Sequence, residues 1–239
     1  MRDSVKTYKI AEVVFELLNP GSYVRNLCED YEVDAAQKSE FSIKISKEDI
    51  LKERSLTEEN VTDEYLESLA VYRKLCEKMV DYDTFLFHCS AVAVDGKAYL
   101  FAAPSGTGKS THTRLWRTYF GDRAVMVNDD KPLLQVRDEA IYVCGTPWCG
   151  KHGLNTNQKV PIQGICILER GRENSVEKIS TMEAFAEMYK QTYRSGERGQ
   201  MIKTIALLKQ LAERIPVYRM KCNISEQAVE TSWNAMKPQ

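Results

Sequence analysis

No apolar run in the 239 residues approaches the length that a membrane-spanning helix needs. Internal repeats, low-complexity tracts and Pro/Gly/Ser-rich linkers are also missing, so neither a solenoid nor a pair of tethered large domains is expected. Neither charge dominates: 33 Lys+Arg stand against 34 Asp+Glu, for a formal net charge of -1. That balance argues against a generally basic nucleic-acid-binding surface. The N-terminal stretch lacks the charged-then-apolar shape of a signal peptide. The 7 cysteines are odd in number and scattered, which is not a disulfide framework. Reduced thiols, a cytoplasmic location and no membrane partner follow as expectations. With 43% hydrophobic and 28% charged residues, wholesale disorder is excluded and one large domain with a small accessory layer is expected.

Tyr8–Leu18 and Phe41–Ile45 carry β-type content, which suggests a small, mainly β layer over residues 1–46. Residues 47–64 form the clearest composition break: charged, weakly apolar and expected to be exposed. Tyr65, Leu69, Tyr72, Cys76 and Met79 recur at helical steps and predict a helix over about 62–80. The expected division is an N-terminal part, 1–80, and a main domain, 81–239, or one continuous domain. Ala91–Val94 and Lys97–Phe101 flank Asp95-Gly96, a two-residue hairpin signal. A helix over 110–119 should stop at Gly121, and Ala124–Val127 reads as a short buried strand. Leu133–Val136 and Ile141–Cys144 form a second expected hairpin. Beyond it come a strand at Ile162–Leu168, a Ser180 capping box opening a helix to about 194, a helix over 198–213, a strand at Val217–Lys221 and a helix capped by Ser225. The pattern is α/β, with a mixed, partly antiparallel sheet and helices gathered at the C-terminus.

The chemistry concentrates in Ala103-Pro-Ser-Gly-Thr-Gly-Lys-Ser110, which follows a strand and opens a helix. Gly106 and Gly108 let successive N–H groups turn inward on phosphate oxygens, and the helix N-terminus adds partial positive charge. Lys109 should reach the β- and γ-phosphates and Ser110 should offer its hydroxyl to Mg²⁺ or Mn²⁺. Ser105 to Thr111 are the candidate nucleotide-binding residues: Ser105, Gly106, Thr107, Gly108, Lys109, Ser110 and Thr111. Lys109 is expected to face solvent in the unliganded protein. The usual first glycine of such loops is Ala103 here.

Asn128-Asp129-Asp130 ends the strand at 124–127. Two adjacent carboxylates beside a phosphate loop can divide metal binding and proton transfer, although the same residues would also make an Asx turn into Lys131-Pro132. His88 precedes the first hairpin. Paired residues in that hairpin sum to about 191, so His88 should fall opposite residue 103, close to the transferred phosphate. Lys151, in a Gly/Pro-rich loop, and Arg114 are candidates for gripping substrate. Arg117 shares the face of Arg114, and both also read as solvated helix surface. Cys144, Cys149 and His152 make an incomplete zinc set.

Phe87-His88-Cys89-Ser90-Ala91, the hairpin, Pro104 to Ser110 and Asn128-Asp129-Asp130 together resemble the nucleotide-binding core shared by HPr kinase/phosphorylase and ATP-dependent phosphoenolpyruvate carboxykinase. The similarity spans about residues 86–131. Gly145 to Lys151 with Val160-Pro161 is similar to uncharacterised bacterial relatives of both. The resemblance implies a P-loop of the HPr kinase/phosphoenolpyruvate carboxykinase type. It also implies phosphate binding by Lys109 and Ser110, metal binding and a general base from Asp129 and Asp130, and His88 at the metal or catalytic centre. It leaves open which aspartate does which, and it allows a homo-oligomer. The carboxykinase's arginine cluster and the N-terminal domain of HPr kinase have no counterpart here.

The function expected from this reading is transfer of the ATP γ-phosphate, with Mg²⁺, to a hydroxyl of a peptide, protein or small molecule. The alternatives are a nucleotide-binding or ATP-hydrolysing regulator and a carboxykinase-like lyase.

Overall fold

The computed structural model of the chain describes residues 4–57 and 60–238. It divides into two units, 1–82 and 83–239.

In the first unit, β1 (Val5–Ile10) and β2 (Val13–Leu18) form an antiparallel hairpin, and β3 (Phe41–Lys44) joins β2 in parallel. The hairpin closes through Ala11 and Glu12, both at positive φ. Tyr8, Phe15, Leu17 and Ile43 are buried. α1 (Ser22–Leu27), α2 (Lys47–Leu56) and α3 (Asp63–Met79) complete the unit. The helix expected at 62–80 is α3, opened by the Thr62 side chain accepting from the Tyr65 amide. Its buried stripe runs through Leu66, Tyr72, Leu75, Cys76 and Met79, whereas Tyr65 stands exposed, edge-on to Tyr23.

The segment 47–64 is exposed at most of its described positions, as expected, and Lys47–Leu56 forms helix α2; residues 58 and 59 lie outside the described residues. Its sequence has no apolar stripe. It is held by a capping box between Ser46 and Asp49 and by ion pairs from Arg73 to the buried Glu53 and from Lys74 to Asp49. Polar patterning of this kind leaves no hydrophobic periodicity to detect.

The second unit is built on a nine-stranded mixed sheet. Its strands are β4 (Thr84–Leu86), β5 (Ser90–Val94), β6 (Lys97–Ala102), β7 (Ala124–Asn128), β8 (Leu133–Val136), β9 (Ile141–Cys144), β10 (Lys159–Arg170), β11 (Ser175–Lys178) and β12 (Val217–Cys222). Along one path the order is β4-β8-β9-β10-β6-β5-β7, with β12 pairing β10 and β11. β10 serves two neighbourhoods: its start pairs β9 antiparallel, and its remainder lies parallel to β6 and β12. β11 is a polar edge strand and gave no sequence signal.

Four helices cover the two faces: α4 (Lys109–Phe120) and α7 (Glu226–Met236) on one, α5 (Thr181–Gln191) and α6 (Arg198–Arg214) on the other. Alternation in the central hairpin feeds both cores. Ala91, Ala93, Ala98 and Leu100 face α5 and α6; Val92, Val94, Tyr99 and Phe101 face α4 and α7. These strands are therefore apolar nearly throughout, as both covered faces require. The hairpin turns at Asp95 (φ 50°) and Gly96 (φ 75°), and its register pairs Val94 with Lys97 and Ser90 with Phe101. The architecture is mixed α/β with a partly antiparallel sheet, C-terminal helices and a small N-terminal sheet, as the sequence indicates. α5 ends at Gln191 rather than 194, because Thr192 bridges to Phe87 and leaves helical geometry. Among the described residues no helix is long and apolar enough to cross a membrane.

Candidate phosphate-binding site

β6 delivers the chain into the loop at 103–108, and α4 takes over at Lys109. Ala103 is fully buried on the α4 side of the sheet, which accounts for a methyl where glycine is usual. Thr107 N–H donates to the Pro104 carbonyl, while Gly106 (φ 76°) and Gly108 (φ 123°) adopt conformations that disfavour side chains. A Cβ at either glycine would meet nothing within 4 Å, so the backbone borders open space. No side chain caps the N-terminus of α4, leaving N–H groups that suit an anion. Arg170, at the end of β10, donates to the Gly106 carbonyl at 2.6 Å.

Lys109 corrects one expectation. It is 8% exposed, and its ammonium folds back to donate to the Ala103 carbonyl at 3.0 Å. Burial pushes its pKa down, against the opposing charges of Asp130 and Asp129.

β7 pairs antiparallel with β5 and carries Asn128-Asp129-Asp130 to the loop's neighbourhood. The Asx turn forms: Asn128 Oδ1 accepts from the amides of Asp130 and Lys131 at 2.9 and 2.8 Å. The same carboxamide donates to the Thr146 carbonyl at 3.0 Å, tying the turn to the following loop. Gly145 belongs to that junction, since a Cβ there would lie 1.9 Å from the Thr156 carbonyl oxygen and 2.7 Å from that of Val127. A Cβ on Gly150 would press on Asp130 at 3.1 Å.

The two carboxylates have different surroundings. Asp129 is buried, accepts a short hydrogen bond from the Ser90 hydroxyl, and shares a cavity wall with Ser110. Asp130 Oδ1 lies 2.9 Å from His88 Nε2, and its Oδ2 accepts from Lys131 Nζ at 2.6 Å. Burial would raise the Asp130 carboxyl, but His88 and Lys131 outweigh it and hold the group well below the usual carboxylate range. The other ring nitrogen of His88 faces Gln191 Oε1 at 3.3 Å, and the His88 amide donates to the Gln191 carbonyl. The hairpin ladder stops at Ser90–Phe101, so His88 turns toward the end of α5 instead of pairing with residue 103.

Two cavities flank the start of α4, and Thr111 lines both. One, of about 510 Å³, runs from the glycines of the loop past Leu115 and Leu168 to Cys222 and Ile224. The other, of about 350 Å³, includes Ser110, Arg114, Arg117, Asp129 and His152. Lys151 is exposed in the turn after Gly150 and does not line the second cavity. Cys144 and Cys149 are buried while His152 is exposed, and no group of three or more His, Cys, Asp or Glu converges among the described residues. The sequence assigns no role to Ser90, Gln191 or Arg170. Ser90 was accessible in principle through the hairpin register, whereas Gln191 lies 103 residues from His88 and nothing local marks it.

A family model described as SynChlorMet cassette protein ScmC matches residues 55–233. Comparison with curated protein sequences finds no match. Among solved structures, the Hpr(Ser) kinase/phosphatase of Coxiella burnetii matches at 11% identity and a TM-score of 0.33, covering 64% of this chain and 99% of that one.

Proposed function

The chain belongs to the SynChlorMet cassette protein ScmC family, and from its site we propose that it is an ATP- and Mg²⁺-dependent phosphotransferase acting on a hydroxyl. The observation that carries the reading is the pair of cavities meeting at Thr111, one against the glycines of the loop and the other holding Ser110 and Asp129. A nucleoside fits the first, whose walls include Leu115, Leu168 and Ile224. Its phosphates then run over the loop N–H groups, and an acceptor enters from the second. A protein that only hydrolysed ATP would need no such second compartment.

Lys109 exchanges the Ala103 carbonyl for a phosphate oxygen, at little cost because the ammonium is already desolvated. The acceptor oxygen bonds to the γ-phosphorus as the bond from that phosphorus to the bridging oxygen breaks. The bridging oxygen keeps the electron pair and leaves with ADP. The hydroxyl proton passes to Asp129, the carboxylate that shares the acceptor-side wall with Ser110.

His88 and Lys131 engage both oxygens of Asp130 and favour its anion; to take a metal the carboxylate would exchange the Lys131 contact for the ion. Ser110 and Asp130 would hold Mg²⁺, since both are hard oxygen donors. Bound there, the ion would supply charge neutralisation on the phosphates. His88 is a positioning residue, fixing the Asp130 carboxylate.

The test is to incubate the protein with γ-labelled ATP, Mg²⁺ and a panel of hydroxyl-bearing peptides and small molecules. Label on an acceptor oxygen is expected. Label appearing solely as free phosphate, or remaining on ATP, contradicts the reading.

A further inference from the structure

Resting on the phosphotransferase reading, we propose that the acceptor is acidic: its hydroxyl lies beside a carboxylate or phosphate that Arg114 and Arg117 grip. Ser110, Arg114 and Arg117 stand at i, i+4 and i+7 on α4, one stripe of the helix, and all three line the cavity of about 350 Å³. His152 closes the cavity from the loop that follows β9.

The electrostatics of this cavity are unbalanced. Among the described residues neither Arg114 nor Arg117 is in an ion pair, and Arg117 Nε is shut off from solvent with no hydrogen-bond partner. Other arginines of this unit are satisfied: Arg123 pairs with Asp95, Arg219 with four carboxylates, and Arg170 with the Gly106 carbonyl. The one carboxylate on the cavity wall, Asp129, is engaged by Ser90. Two guanidinium groups on a concave wall, with no carboxylate paired to either among the described residues, match the fork of a carboxylate or phosphate.

The nucleotide's own phosphates are served by the loop and Lys109. Arg114 and Arg117 lie about 6 and 10 Å further along the helix axis than Ser110. That offset suits an anion on the acceptor, carried either by a neighbouring residue of a peptide or by the body of a small hydroxy acid.

The experiment uses the full chain with ADP and Mg²⁺ and titrates three probes: a Ser-Asp-containing hexapeptide, its Ser-Asn counterpart and L-glycerate. Binding is read by calorimetry, alongside label transfer from γ-labelled ATP. The acidic peptide or L-glycerate should bind at least tenfold more tightly than the amide peptide, and which of the two wins identifies the source of the anion. Arg114→Gln and Arg117→Gln should erase that preference with ADP affinity unchanged. Arg117→Lys, which keeps the charge and loses the fork, guards against misfolding of the Gln variant and should restore part of the preference. Equal binding of acidic and amide probes, or variants that weaken ADP and leave the preference intact, would overturn the proposal. Arginine-dependent binding of an acidic probe without label transfer would support the subsite and fail the phosphotransferase reading. Transfer with no acidic preference would do the reverse.

Discussion

His88 Nε2 lies 2.9 Å from Asp130 Oδ1, joining a residue just before the central hairpin to one just after β7. The contact fixes one carboxylate of the pair while leaving the other on the cavity that holds Ser110. His88→Ala should therefore lower label transfer on the order of 10²-fold with a much smaller effect on ADP affinity, because positioning matters most where charge develops. Equal losses in both would place His88 in nucleotide binding instead.

Asp129→Asn and Asp130→Asn should fail differently. Asp129→Asn removes the proton acceptor and should cost roughly 10²–10⁴ in rate with the Mg²⁺ requirement unchanged. Asp130→Asn should raise the Mg²⁺ concentration for half-maximal rate about tenfold or more. A magnesium titration of both variants checks this; the same mild loss in each would reduce the segment to the Asx turn that Asn128 makes.

Gly145→Ala should destabilise the protein by about 1–3 kcal/mol, since its Cβ would run into two backbone carbonyls that cannot swing aside. Gly196→Ala, where a Cβ meets nothing within 4 Å, is the control and should be near neutral. Denaturant unfolding of the two variants measures the difference.

His112 sits behind the loop, its Nε2 accepting from Trp116 Nε1 at 3.2 Å, and burial pushes its pKa down from 6.5 to about 4. The unfolded chain takes up this proton before the folded one does. Stability should be full above about pH 6.5 and fall as the pH drops toward 4. The loss from this group should be on the order of 3 kcal/mol. In His112→Gln, unfolding followed between pH 7 and 4 should show a shallower decline; an unchanged slope would assign the acid sensitivity elsewhere.

The loop was legible because its chemistry is local: glycine positions, a lysine, and a strand and helix on either side. The central hairpin was legible because Asp95-Gly96 sets both turn and register. What escaped was long-range or polar. α2 hides in a charged stretch because capping and ion pairs, rather than an apolar stripe, hold it. The path of His88 is not written locally, because Gln191, distant in sequence, captures its backbone amide where the ladder ends. The sequence points Lys109 into solvent because nothing in it reveals that the ammonium can return to the Ala103 carbonyl.

The most direct test of the central claim is equilibrium binding of Mg·ATP to the wild-type chain and to Lys109→Met, which keeps the buried stem and removes the ammonium. The wild type should bind one nucleotide, and the variant should bind at least about tenfold more weakly, a loss of roughly 1.4 kcal/mol or more, with its unliganded fold intact by circular dichroism. Failure of the wild type to bind, or equal affinity in the folded variant, would contradict the account.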